Sequence, residues 1–146
     1  MDSDIKTAKR KIIIVVLVSI AVLFLFVWVQ IPKREELVMT PSTHEQIIFL
    51  EVNNAKFDED YEVDFALYDK ECGYVQICVK VPRSEKEGLR GQNEDISIKV
   101  NNVEVEEYGQ IFHTAKWKKY VIYLLDGIEE DSKITFEYKG NVVEMY

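Results

Sequence analysis

Few residues of this 146-residue chain combine the types and the spacing that catalysis requires. His44 and Glu45 begin the His-Glu-x-x-His pattern of a zinc protease, but Ile48 stands where the second histidine belongs. His113 is the only other histidine, and no serine occupies the Gly-x-Ser-x-Gly turn of a hydrolase. The sequence therefore predicts no catalytic residues, no metal site and no cofactor, and it favours a protein that is not an enzyme.

A run of acidic residues between positions 58 and 64 could in principle gather calcium. Its members are Asp58, Glu59, Asp60, Glu62 and Asp64. The run lacks the central glycine and the terminal glutamate of a calcium-binding loop. A solvated acidic entrance to a strand is the role we expect.

One short segment combines basic and aromatic side chains in an otherwise acidic protein. Its members are His113, Lys116, Trp117, Lys118, Lys119 and Tyr120. Such residues bind polyanions, sugars or acidic protein surfaces through charge and through aromatic faces. The alternative is structural: Trp117 begins a strand and enters the core, while the lysines offset neighbouring acids. We take this basic-aromatic cluster as the candidate binding site.

Residues 12–31 predict a membrane-spanning helix. Their 20 positions hold no charge and include 16 Ile, Val, Leu or Phe residues. A helix of that length reaches about 30 Å, the thickness of the hydrocarbon core of a bilayer. A cleaved signal peptide is the alternative, but the run ends without the small residues of a cleavage site. The chain is therefore expected to be anchored in the membrane through residues 12–31.

The charges that flank this span predict its orientation. Four basic residues precede it, and two follow closely, namely Lys33 and Arg34. Because lysine and arginine resist translocation, the N-terminus is expected in the cytoplasm and the C-terminal part outside it. Four segments follow: a cytoplasmic basic tail (1–11), a signal-anchor helix (12–31), a polar stalk (32–44) and an extracytoplasmic domain (45–146).

Charge limits the partners of the outer part. Residues 32–146 carry 14 basic and 24 acidic residues, a net charge of −10. Such a surface repels nucleic acid, so a protein or polymer partner outside the cytoplasm is expected instead.

Beyond Glu45 the apolar residues recur with the period of two that is typical of β-strands. Residues 61–68 predict one strand, with Tyr61, Val63, Phe65 and Leu67 on a buried face and with Ala66 on the opposite, solvent-exposed face. Residues 74–81 predict a second strand, which Pro82 ends.

Further strands are predicted toward the C-terminus. Ile96–Val100 and Val103–Val105 form a hairpin across Asn101 and Asn102, with Val100 opposite Val103. The remaining predicted strands are Ile47–Val52, Trp117–Leu125, Ile134–Tyr138 and Val142–Tyr146.

Cys72 and Cys78 lie in the part expected outside the cytoplasm, where cysteines often pair. If residues 74–81 form a strand, the two Cα atoms stand about 20 Å apart, whereas a disulfide needs less than about 7 Å. No disulfide is therefore favoured. A bridge between Cys72 and Cys78 stays possible if Gly73 begins a tight turn.

Together these observations predict a mainly β protein: a single N-terminal transmembrane helix followed by an antiparallel β-sandwich. In architecture alone the sandwich resembles an immunoglobulin-like domain without a disulfide. A small Greek-key barrel is the alternative fold.

The expected function is a membrane-anchored binding or scaffold module that engages an envelope protein or a cell-surface polymer. An anchored enzyme or transport accessory subunit, with a site built from scattered loop residues, is the alternative function.

Overall fold

The structure is a computed structural model, and its described residues fall in six stretches. These are 2–30, 33–40, 42–57, 61–82, 96–115 and 118–146. Contacts divide the chain into two compact units, the first ending at Pro32 and the second running from Lys33 to Tyr146.

The first unit contains a single helix, α1 (Asp2–Gln30), which is long and apolar enough to cross a membrane. It begins at Asp2 rather than at Ile12, so the residues of the predicted basic tail continue the same helix. Lysine, arginine and alanine favour helix, which explains why it extends beyond the apolar stretch. Ile31, the last residue of the predicted span, lies outside the described residues.

The second unit consists mainly of antiparallel strands, which confirms the predicted class. The strands are β1 (Ile47–Phe49), β2 (Val52–Asn53), β3 (Glu62–Asp69), β4 (Tyr74–Val81), β5 (Ile96–Val100), β6 (Val103–Glu104), β7 (Gly109–Ala115), β8 (Lys118–Asp126), β9 (Ile134–Tyr138) and β10 (Asn141–Met145). Sheet A has the order β1-β3-β4-β8-β7, and sheet B has the order β2-β10-β9-β5-β6. The predicted strand 47–52 is divided, because β1 joins sheet A and β2 joins sheet B.

A hydrophobic core lies between the two sheets, as in a sandwich. Ile77 and Tyr123 of sheet A are completely buried, and they belong to one cluster with Ile98 and Phe136 of sheet B. The rings of Tyr123 and Phe136 meet edge to face, with their centroids 5.1 Å apart. Alternate positions of the central strands therefore supply this inner core, as the period of two predicts.

The predicted asparagine hairpin is confirmed in its register and in its turn. Val100 pairs with Val103, and the amide of Val105 donates to the carbonyl of Ile98 at 2.8 Å. Asn101 and Asn102 have positive φ angles of 52° and 66°. Asparagine tolerates the left-handed conformation that a two-residue hairpin turn requires at both positions.

Strand β3 differs from its prediction because it contains a bulge. Val63 pairs with Val79 but Phe65 pairs with Cys78, so Asp64 is an extra residue. An extra residue reverses the faces of everything that follows it. Val63 therefore points to the inner core, whereas Phe65 joins a second cluster on the outer face of sheet A. Ala66, predicted to face solvent, is completely buried in the inner core.

That second cluster is covered by residues 33–40, which we call the strap. The strap begins with a 3-10 helix, Arg34–Leu37, and Leu37 packs with Leu67 and Ile122 at only 1% exposure. The sequence placed residues 32–44 in a polar stalk, but the structure places the strap against sheet A. The physical reason is the apolar run Leu37, Val38 and Met39, which buries itself on an apolar sheet face.

Polar contacts fix the strap in register on the sheet. The buried amide of Gln76 accepts from the Met39 amide at 2.7 Å and donates to the Leu37 carbonyl at 2.6 Å. The Thr40 hydroxyl donates to the buried carboxylate of Asp69. At the other end, the guanidinium carbon of Arg34 lies 4.1 Å from the centre of the Phe49 ring. The buried polar side chains Gln76 and Asp69 thus both find partners in the strap, as burial demands.

Candidate functional site

The β7–β8 hairpin carries the predicted basic-aromatic cluster. His113 of β7 pairs with Tyr120 of β8, and Thr114 pairs with Lys119. Lys116 and Trp117, which complete the predicted cluster, lie outside the described residues. Strand β7 was not predicted from the sequence. Its two large apolar residues, Ile111 and Phe112, are adjacent, so β7 lacks the period of two that identifies a strand.

The two faces of sheet A divide the cluster. Tyr120 belongs to the outer cluster beneath the strap, and His113 lies beside it on the same face through their pairing. Lys118, two residues before Tyr120, also belongs to the outer face, because side chains alternate along a strand. Lys119 lies on the opposite face, which it shares with the core residue Val121 two positions further along the strand. The structure thus brings His113, Lys118 and Tyr120 to one face and separates Lys119 from them.

A row of polar residues crosses the outer face at this end of sheet A. Cross-strand pairs link Glu62 to Lys80, Lys80 to Tyr120, and Tyr120 to His113. The ammonium of Lys80 lies 3.5 Å from the carboxylate of Glu62. The charge of Lys80 is therefore offset within the sheet, whereas His113 and Lys118 lie at or next to the edge strand β7.

Tyr120 is the aromatic centre of this row, and it is almost completely buried, with 2% exposure. Burial, with smaller contributions from the charges of Asp64, Cys78 and Glu62, raises the pKa of its hydroxyl to about 12. Tyr120 is therefore neutral throughout the physiological range. Because Tyr120 is buried, its ring packs within the outer cluster and provides neither a charge nor an exposed contact surface.

The other end of the same hairpin is acidic. An open pocket of about 470 Å³ is lined by Glu107, Tyr108, Gly109, Leu124 and Asp126. Beside Asp126, burial, with smaller contributions from Asp126 and Asp69, raises the pKa of Tyr74 to about 12. Two carboxylates beside a tyrosine ring suit a cationic group. The strand that links the two ends therefore runs from an acidic end to a basic end.

The two cysteines occupy different environments. Cys72 is exposed in the turn after β3, Cys78 is completely buried in β4, and both are free. Burial raises the pKa of the Cys78 thiol, Asp64 raises it further, and Arg34 opposes both effects. Cys78 is thus a protonated, shielded thiol rather than a nucleophile. In the part of the chain that the structure describes, no group of three or more His, Cys, Asp or Glu is arranged to hold a metal ion.

Compared with protein-family models, with curated proteins and with solved structures, the chain matches none.

Proposed function

We propose that this protein is a single-pass membrane protein whose sandwich domain binds a partner outside the cytoplasm. The partner is an acidic envelope protein or an anionic cell-surface polymer. The binding surface is the basic end of the β7–β8 hairpin, where His113 and Lys118 share the outer face of sheet A. The observation that carries the proposal is this basic end, which lies beside the outermost strand of a domain with a net charge of −10.

Charge distribution supports the choice of surface. In a strongly acidic domain, an acidic partner is attracted most strongly to the place where basic groups are concentrated. Lys118 and Lys119 begin β8 and pair with Ala115 and Thr114 of the edge strand β7, so they lie at the margin of sheet A. A polymer or protein surface fits such a place better than a small molecule, which needs a deeper pocket.

Sequence supports the proposed topology. The uncharged stretch of α1 suits the bilayer, and the four basic residues before it favour a cytoplasmic N-terminus. Protease added to intact cells should therefore remove an epitope placed after Tyr146 and spare one placed before Met1. The reverse pattern would contradict the proposed topology, and a mature chain lacking α1 would indicate a cleaved signal peptide.

Strand order supports an immunoglobulin-like sandwich. Strands A, B, E and D of an immunoglobulin domain form one sheet, and strands C, F and G form the other. Taking β3 as strand A, sheet A contains the order A-B-E-D as β3-β4-β8-β7, and sheet B contains G-F-C as β10-β9-β5. In this assignment β7 is strand D, an edge strand.

The test of the binding surface is a charge reversal with a matched control. Lys118→Glu combined with Lys119→Glu should abolish cross-linking of the full-length chain to its envelope partner in native membranes. Lys99→Glu combined with Lys133→Glu makes the same charge change on sheet B and should leave the partner bound. Quantitative mass spectrometry of the cross-linked complexes measures both. Equal partner recovery from the two double variants would refute the proposed surface.

A further inference from the structure

We propose that two copies of this chain associate through β7, edge to edge and antiparallel, so that two five-stranded A sheets become one continuous sheet. The inference concerns self-association and goes beyond the binding of an envelope partner. Its basis is the length, composition and charge pattern of the edge strand.

Strand β7 is the longest edge among the described strands. It has seven residues, whereas the other edge strands β1, β2 and β6 have three, two and two. Natural sheets protect their edges with short strands, prolines and charged residues. The sequence of β7, GQIFHTA, contains no proline, lysine, aspartate or glutamate. Among the described strands only β8 pairs with β7, so the other side of β7 is where a further strand can add to sheet A.

The residues of β7 suit pairing with a second copy of the same strand. A two-fold axis at the central residue, Phe112, places Ile111 opposite His113 and Gln110 opposite Thr114 of the second copy. Phe112, which is 38% exposed, then meets Phe112 of the second copy. Large side chains thus face each other at the centre and small residues at the ends. Such an isologous contact is the commonest way in which identical chains associate.

Charge favours the antiparallel arrangement. Glu106 and Glu107 precede β7 and are exposed, while Lys118 and Lys119 of β8 lie beside the C-terminal end of β7. An antiparallel pair brings the acidic end of one copy to the basic end of the other, twice. A parallel pair would bring like charges together. The net charge of each domain opposes association only weakly, because salt at physiological strength screens charges beyond about 8 Å.

The first test is the oligomeric state of the full-length chain in detergent, measured by sedimentation over a range of concentrations. Phe112→Lys places a charge at the centre of the edge and should raise the dissociation constant of the dimer by at least about tenfold. Val103→Lys makes the same change on the edge of sheet B, where Val103 is 69% exposed, and should leave the dimer intact. A wild-type chain that stays monomeric, or equal weakening by both variants, overturns the proposal.

The second test reverses charges at the two ends of β7 and does not touch the strand. Glu106→Lys with Glu107→Lys should weaken the dimer, and adding Lys118→Glu with Lys119→Glu should restore it. This rescue decides the matter even if Phe112→Lys does not fold, as judged by circular dichroism. Failure of the rescue overturns the antiparallel arrangement. Phe112→Lys keeps both hairpin lysines, so loss of the dimer with an intact envelope partner separates this inference from the proposed function.

Discussion

The outer faces of the two sheets are built for different environments. On sheet B the outer positions hold Lys99, Glu137 and Glu144, and the Lys99 ammonium lies 3.8 Å from the Glu137 carboxylate. On sheet A the outer positions hold Phe65, Leu67 and Ile122, all completely buried. One sheet therefore faces water directly, and the other needs a cover.

The difference shows what the segment after α1 does. The strap is not a spacer, because its residue Leu37 completes a second core on sheet A. It also pairs with Gln76, a polar side chain that would otherwise be buried without partners. The domain thus begins at the strap rather than at position 45, and any fragment that starts later exposes an apolar sheet face.

Truncation of the strap's central side chain gives the largest expected effect. Leu37→Ala removes a side chain that is 1% exposed, and it should lower the free energy of unfolding by about 2–5 kcal/mol. The matched control is Val142→Ala on the outer face of sheet B, where Val142 is 43% exposed. That change should cost less than about 0.5 kcal/mol. Equal losses in urea unfolding would show that the two faces do not differ.

The next effect concerns the amide that joins the strap to the sheet. Gln76→Leu keeps the volume of the side chain but leaves the Leu37 carbonyl and the Met39 amide without partners. We expect a loss of about 1–3 kcal/mol, since buried unpaired groups retain their desolvation penalty. Thr135→Ala, in the middle of the outer face of sheet B, serves as the control. A stabilised Gln76→Leu variant would mean that water reaches the strap and replaces the amide.

Alkaline pH should weaken the fold in part through the covered face of sheet A. Tyr120 has a folded-state pKa of about 12, against an ordinary value of 10.0. Above pH 10 the unfolded chain releases this proton while the folded chain keeps it, so stability falls between pH 10 and 12. Tyr120→Phe should make that decline shallower, whereas Tyr146→Phe, at the exposed C-terminus, should not. Identical slopes for both variants, measured by thermal unfolding at each pH, would contradict the assignment.

The smallest effect is expected at the ion pair on sheet B. Lys99→Ala removes a pair whose side chains are more than one third exposed, with values of 38% and 35%. Exposed pairs contribute about 0–1 kcal/mol and are screened by salt. Unfolding in low and high salt should therefore give nearly the same stability for the variant and the wild type. A large loss would mean that the outer face of sheet B is also buried.

Sequence reasoning succeeded where local rules decide the structure. The Asn101-Asn102 turn and the inner face of β4 follow from positive φ angles and from strand alternation. It failed where contacts between segments far apart in the sequence decide the structure. Nothing local to Phe65 indicates the bulge at Asp64, because a bulge is defined by the partner strand.

The strap and the candidate site illustrate the same limit. The sequence of the strap did contain a signal, the short apolar run Leu37, Val38 and Met39 within a polar stretch. Only the apolar outer face of sheet A, however, gives that run a place to pack. For the basic-aromatic cluster, the sequence identified residues that are neighbours along the chain. Alternation along β8 separates Lys119 from Tyr120, whereas the position of His113 beside Tyr120 depends on the pairing of β7 with β8.

The most direct test of the strap as part of the fold is the reactivity of Cys78 in the full-length chain. Cys78 lies beneath the strap, completely buried, whereas Cys72 is exposed. With an alkylating reagent under native conditions, Cys72 should react quickly and Cys78 should stay protected. Leu37→Ala should accelerate the alkylation of Cys78 without changing that of Cys72, and Val142→Ala should change neither. Alkylation of Cys78 in the wild type as fast as that of Cys72 would contradict the account, because the outer face of sheet A would then be open.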